Sequence, residues 1–496
     1  MRSASNEPVR TRSLAALALV LTILVASVPG IRVEADEGAA EYAFILTTDY
    51  WSAAYYSTIE IPPPRDTEVS IEPVSTDAVA YYDTDEDLIF VVNRYLADNV
   101  QVVDPNSAFA TVGQYSVGNG SNPHDIRLVD GSKAYVSRFE WKTILICHPY
   151  TGDSLGTIDL SPFADADGIP EMDRMAIVGD RLFVTLNSLD HTTWLPDGPG
   201  KIAVVDVVAD TLIDCDPDSA GVQPIVLGLA NPYTELRYQP CTGQVYVGCL
   251  GGWGVEDGGV EVVDPYSLKS EGVLITEGDL DGDISDVVLA PGGAGYAVVL
   301  EAVAWPDNFA RLVRFDTATK TVTDTLCLQT SGMGSSMAGI ELNRQMELYL
   351  CDRDATNPGV RIYDAATDTE IDFIDVGLPP YDICYTQKNF ASVAVEPEKS
   401  VGPPPAAITA HPNPFGCFTT ITYTLGGERP LEMRLGVFDA MGRRVRCLAA
   451  GETSPGTYHI EWNGRDDFDR PVAPGVYFCV MYGKGGTTGS KVIIER

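Results

Sequence analysis

One short strand-like pattern ending in a turn residue recurs along this chain at nearly regular intervals. It reads Gln101-Val-Val-Asp104, Leu145-Ile-Cys-His148, Ala203-Val-Val-Asp206, Glu261-Val-Val-Asp264, Val313-Arg-Phe-Asp316 and Arg361-Ile-Tyr-Asp364, with Ser57-Thr-Ile-Glu60 as a looser first copy. The steps between anchors are 44, 44, 58, 58, 52 and 48 residues, and the extra length falls in loops of Gly, Asp and Pro. Each copy contains four strand-like runs. Four strands repeated every about 40–50 residues is the pattern of propeller blades.

The ends fit the same arithmetic. The first copy begins with Tyr42–Thr47, which matches the second strand of later copies and leaves an innermost strand missing. After the last anchor, Pro380–Tyr385 matches an innermost strand. A ring closed by that strand has no exposed sheet edge. The expected fold is all-β: a seven-bladed β-propeller over residues 40–395, followed by a small Ig-like β-sandwich.

Charge narrows the partners. Lys and Arg total 33 against 70 Asp and Glu, a formal charge of −37. A field of that sign repels nucleic acid and anionic membranes. With 45% apolar and 21% charged residues, the chain is still globular.

The N-terminus carries Arg2, Arg10 and Arg12, an apolar run from Leu14 to Val28, and then Pro29-Gly30. This is the layout of a secretory signal peptide. Cleavage is expected after Ala35, with Ala26-Ser27 as an earlier alternative, so residues 1–35 are excluded from the fold. No transmembrane segment is expected after cleavage, and the protein is expected to be secreted or held at the cell surface, with the periplasm as an alternative. Export permits disulfides. The ten cysteines form no CxxC pair and no metal-ligand spacing, so small buried hydrophobes are the plainer reading and pairings stay open.

Within the repeats, Pro123-His-Asp-Ile126, Asp130-Gly131, Ala134-Tyr-Val136 and Val204-Val-Asp206 resemble the YVTN family of seven-bladed propellers. That resemblance implies a fold; members range from surface-layer proteins to lyase-like and quinoprotein-like enzymes. Residues 396–406, rich in Pro, read as a stiff linker. Beyond them, residues 407–496 alternate in the manner of a small sandwich. Pro412-Asn-Pro-Phe415, Val437-Phe-Asp439, Gly442-Arg443, Trp462-Asn-Gly-Arg465, Pro474-Gly-Val-Tyr-Phe478 and Lys491-Val-Ile-Ile494 resemble the Ig-like domain of flagellar hook-capping proteins (FlgD). They equally resemble the C-terminal sorting domains of type IX secretion substrates. The resemblance implies secretion machinery as a partner of this domain.

Two further regularities mark candidate site residues. A carboxylate stands at the start of the innermost strand in six copies, as Asp77, Asp125, Asp173, Glu235, Asp286 and Asp382; the other copy has Gly339. Like charges so grouped need a cation, Arg or backbone N–H groups to offset their repulsion, and Arg174 and Arg237 are candidates. Trp51, Trp141, Trp194, Trp253 and Trp305 occupy the loop between second and third strands of successive copies, which returns to the same face. Indole faces beside carboxylates suit a glycan, a peptide or protein segment, or a cationic group.

Catalytic signals are few. His124, beside Asp125 at the expected channel mouth, is the one weak candidate for a general base, and paired carboxylates could act on a glycan. There is no HExxH, no P-loop and no complete GxSxG. Asp279, Asp281 and Asp283, and likewise Asp165-Ala-Asp-Gly168, echo calcium loops without the EF-hand spacing. No cofactor is expected, with calcium as the one ion these turns could take. The reading is a surface or secreted propeller that binds a ligand, leaning away from an enzyme. The alternatives are a polysaccharide lyase or hydrolase and a structural surface-layer component.

Overall fold

The computed structural model describes residues 41–386 and 408–495, except 240–241, 291–292, 305–306, 330–336, 344, 426–430, 440–443, 454, 466–470 and 484–485. The predicted signal peptide and linker and Trp305 therefore lie outside the described residues. What is described is a β-propeller followed by a small β-sandwich.

The propeller sheets follow one another in chain order, each a set of antiparallel strands running from the channel outwards. Their innermost strands are Ala78–Asp83, Pro123–Asp130, Met172–Val178, Arg237–Gln239, Asp283–Leu289, Met337–Leu342 and Pro380–Tyr385. The last of these pairs antiparallel with Tyr42–Thr48, at the opposite end of the sequence, so first and last segments share a sheet.

Burial explains the two kinds of strand. Second strands such as Leu88–Asn93 are sandwiched between neighbouring sheets and are buried on both faces, whereas the outermost strand Ala110–Ser116 alternates towards solvent. The clusters that form the core join adjacent sheets: Tyr135, Ile144, Met175, Val184 and Ala203 belong to one of them.

The recurrent anchor has a local cause. Asp104, Asp206, Asp264, Asp316 and Asp364 each accept a hydrogen bond from the backbone N–H two residues on, at 2.8–3.0 Å. These Asx turns start the hairpin to the outer strand. In the copy that has His148, its Nδ1 takes the N–H of Tyr150 at 3.3 Å. Four residues after the anchor the backbone is left-handed at Gly152, Asp210, Leu268, Lys320 and Asp368. The tyrosine of the second strand ties neighbouring blades together: Tyr135 donates to Val207 O at 3.4 Å and Tyr296 to Ala365 O at 3.0 Å, each at the anchor turn of the following sheet.

In the sandwich, Ile408–His411, Thr419–Leu425 and Gly456–Trp462 form one sheet. Arg444–Thr453, Leu431–Asp439, Gly475–Gly483 and Gly486–Ile494 form the other. Trp462, 1% exposed, fills the core between Phe415 and Tyr477. The edge strand Ile408–His411 alternates, but four residues beside a Pro-rich stretch are too short a run to stand out in the sequence. Cys147, Cys215, Cys249, Cys351 and Cys479 are buried free thiols, and Cys417 is disulfide-bonded.

Candidate functional site

All innermost strands begin at one end of the ring, where their first residues surround a cavity of about 670 Å³. Asp77, Asp173, Glu235, Asp286 and Asp382 line it, with Gly339 at the position that lacks an acid. Asp125 is not among the lining residues and is only 2% exposed.

Three of the carboxylates stitch neighbouring sheets together. Asp125 accepts from the N–H of Met175 at 2.7 Å, Asp286 from that of Ile340 at 2.9 Å, and Asp382 from that of Ala80 at 2.8 Å. In each case the donor belongs to the innermost strand of the next sheet. Backbone N–H groups thus supply part of the compensation that grouped acids require.

Arginines supply most of the rest. Arg94 lies 2.6 Å from Asp77, and Arg127 pairs with Asp125 and reaches Glu235 at 4.0 Å. Arg174 is 3.8 Å from Asp173. Arg237 is 3.3 Å from Glu235 and 3.8 Å from Asp286, and also pairs with Glu341. Arg127, Arg237 and Glu341 each stand two residues after a ring position, so strand alternation puts them on the channel face. That period was available in the sequence for Arg127 and Glu341. Arg94 comes from a loop, where no period announces it.

Burial and these neighbours divide the acids. Burial pushes Asp125 and Asp382 up to about 6 and Glu341 up to about 7. For Glu235 burial is outweighed by Arg237, Arg127 and Arg174, and for Asp173 by His124 and Arg174, so both stay below the usual carboxylate range. His124 Nδ1 sits 2.7 Å from Asp173 Oδ1, and its ring stacks on Phe139 at 4.4 Å. Burial holds its pKa below the ordinary histidine value against the pull of Asp173.

Arg353 differs from the other arginines of the mouth. It lines the cavity with its guanidinium 3.7 Å from the centre of the Tyr50 ring. Among the described residues it pairs with no carboxylate, and its buried Nε has no hydrogen-bond partner. Burial without an acid lowers it to about 10.

Trp51, Trp141, Trp194 and Trp253 are not among the residues that line the cavity. Trp51, Trp194 and Trp253 are 87%, 58% and 52% exposed, and Trp141 at 36% is covered on one side by the Arg138 guanidinium at 4.2 Å. Two copies lack a tryptophan in this loop: one presents Tyr95 and Leu96, both exposed, and the other, residues 353–358, carries Arg353. Tyr50 and Tyr233 belong both to this exposed set and to the cavity lining. Aromatic rings therefore flank the opening. Tyrosine was the signal the tryptophan count passed over.

Asp279, Asp281 and Asp283 are each engaged separately. Asp279 closes a capping box with Thr276, Asp281 lies 3.7 Å from Arg311, and Asp283 accepts the Gly254 N–H at 2.6 Å.

No protein-family model matches the chain, and no curated protein does. Among solved structures, hydrazine synthase of Kuenenia stuttgartiensis is similar at 15% identity over 62% of this chain and 90% of that one, with a TM-score of 0.46. PorZ, an essential bacterial surface component of the type IX secretion system of Porphyromonas gingivalis, is similar at 12% identity and a TM-score of 0.41. That match covers 90% of this chain and 64% of PorZ. The Dos1 propeller is similar at 13% identity over 68% and 81% of the two chains, with a TM-score of 0.42.

Proposed function

We propose that the protein is an exported ligand-binding propeller of YVTN type, and that the ligand sits over the channel mouth. In this reading the C-terminal sandwich is an Ig-like sorting domain that engages secretion machinery and leads the propeller out of the cell or onto its surface.

One observation carries the binding reading. A cavity of about 670 Å³ is lined by acids of which Asp77, Asp173, Glu235 and Asp286 pair with arginines, is flanked by Tyr50 and Tyr233, and holds Arg353, which pairs with no acid among the described residues. A ring so neutralised holds a bare cation poorly. It offers a polar chain many hydrogen-bonding groups and ring faces, which suits a glycan, or a peptide segment as the next choice. A carboxylate on that ligand would meet Arg353.

Binding of acidic and neutral glycans to the full chain, by array and then calorimetry, tests the reading. Acidic glycans are expected to bind, and more weakly once Tyr50 and Tyr233 are replaced by Ala in a folded protein. Undiminished binding in that variant would remove the mouth as the site.

The His124–Asp173 pair favours a second reading, a polysaccharide lyase or hydrolase. A neutral imidazole oriented by a carboxylate is the arrangement a general base needs. Cleaved product from a bound glycan, lost in His124→Gln, would select this reading over binding alone.

A further inference from the structure

A second group of ligand-type side chains lies beside the mouth, on two loops. Asp165, Asp167 and Glu171 come from the segment joining Ser154–Asp159 to Met172–Val178, and His191 from the loop between Arg181–Leu186 and Lys201–Asp206. Ligand atoms of Asp167, Glu171 and His191 all lie within 4.8 Å of one another.

Glu171 is 0% exposed, yet its Oε1 has no hydrogen-bond partner; the other oxygen takes the Leu189 N–H at 3.3 Å. Oε1 faces His191 Nε2 at 3.4 Å, and that nitrogen is also buried and without a hydrogen-bond partner. A buried carboxylate oxygen facing a buried ring nitrogen, with neither hydrogen-bonded, is costly as it stands. Asp165 adds a third buried and unpartnered atom, Oδ2.

The Glu171–His191 spacing fits a small cation, and Asp167 Oδ2 lies 3.9 Å from the other ring nitrogen, Nδ1. Donors held at about 2.1 Å in a tetrahedron stand about 3.4 Å apart, the separation of Glu171 and His191. The donor set of one imidazole and two or three carboxylates suits a divalent transition ion of the zinc class better than calcium. His191 is positioned by a stack of rings, Phe139 on one side at 6.2 Å and Trp194 on the other at 5.1 Å.

We infer that Asp167, Glu171 and His191 form a binding site for a divalent cation of the zinc class, with Asp165 adjacent as a further oxygen donor. The site does not depend on what the mouth binds.

Titration of the full chain with Zn²⁺ alone, and with Co²⁺ as a spectroscopic probe, tests this. One equivalent should bind, with a Co²⁺ spectrum free of thiolate charge transfer, which separates this site from the free cysteines. Glu171→Gln and His191→Phe, the latter keeping an aromatic ring in the stack, should each weaken binding by at least about 10-fold with an unchanged circular dichroism spectrum. No stoichiometric binding by the native chain, a thiolate band, or retained affinity in either variant would overturn the assignment. So would a site that takes Ca²⁺ equally well in His191→Phe.

Discussion

The Asp382 carboxylate accepts the backbone N–H of Ala80 at 2.8 Å, joining residues 302 positions apart in sequence. Asp382 lies in the strand that completes the first sheet, and Ala80 in the innermost strand of the sheet that follows it. The bond therefore secures the place where the two ends of the propeller meet. Replacing Asp382 by Ala leaves the Ala80 N–H buried without an acceptor and should cost about 1–3 kcal/mol. Asp382→Asn keeps an acceptor oxygen and should cost less. Urea unfolding of both variants checks the order; equal stability would show that the stitch contributes nothing.

The His124–Asp173 pair makes a prediction about titration. Burial lowers the His124 pKa and Asp173 partly opposes it, so removing the carboxylate should lower it further. In Asp173→Asn, the His124 ring resonances should titrate at a lower pH than in the native protein when followed by NMR. A rise would mean that the imidazole is governed by other charges of the mouth.

Arg353 should select for ligand charge. Its guanidinium is held on the Tyr50 ring and faces no acid among the described residues. In Arg353→Gln, a carboxylate-bearing glycan should bind about 10-fold more weakly, the loss of roughly 1.4 kcal/mol, while its neutral analogue is affected little. Calorimetry with the matched pair of ligands reads the difference. Equal losses for both would assign Arg353 to packing.

Glu277 should make stability depend on pH. It is 0% exposed, accepts the Gly258 and Ile284 N–H groups at 2.8 Å each, and is pushed up to about 8 by burial, against those bonds. The folded state thus holds this proton more tightly than the unfolded chain, whose glutamates titrate near 4.5. Its contribution is most favourable below that lower value and is lost as pH rises through about 8. Thermal unfolding should show a falling Tm over this interval, with a flatter profile in Glu277→Gln. An unchanged slope would place the pH dependence in other groups.

How much of this was legible beforehand follows from the range of each interaction. The anchor residues Asp104 to Asp364 act on the backbone two residues away, so their recurrence exposes the repeat directly. Alignment of the repeats gave the ring carboxylates, and strand alternation from those positions should also have given Arg127 and Glu341. The acids' partners were harder to see, because Arg94 reaches Asp77 from a loop and Asp125 bonds to Met175 50 residues away. That Arg353 meets no carboxylate among the described residues depends on what does not approach it, which no local pattern records.

From its sequence alone the chain specified strands, turns and their repetition, because hydrogen bonds to near neighbours and burial by alternation are local effects. Tertiary structure alone decided which acids became stitches between sheets and which still face the cavity. It also decided that Glu171 and His191 meet. Those outcomes depend on desolvation and on distances between segments that are far apart along the chain.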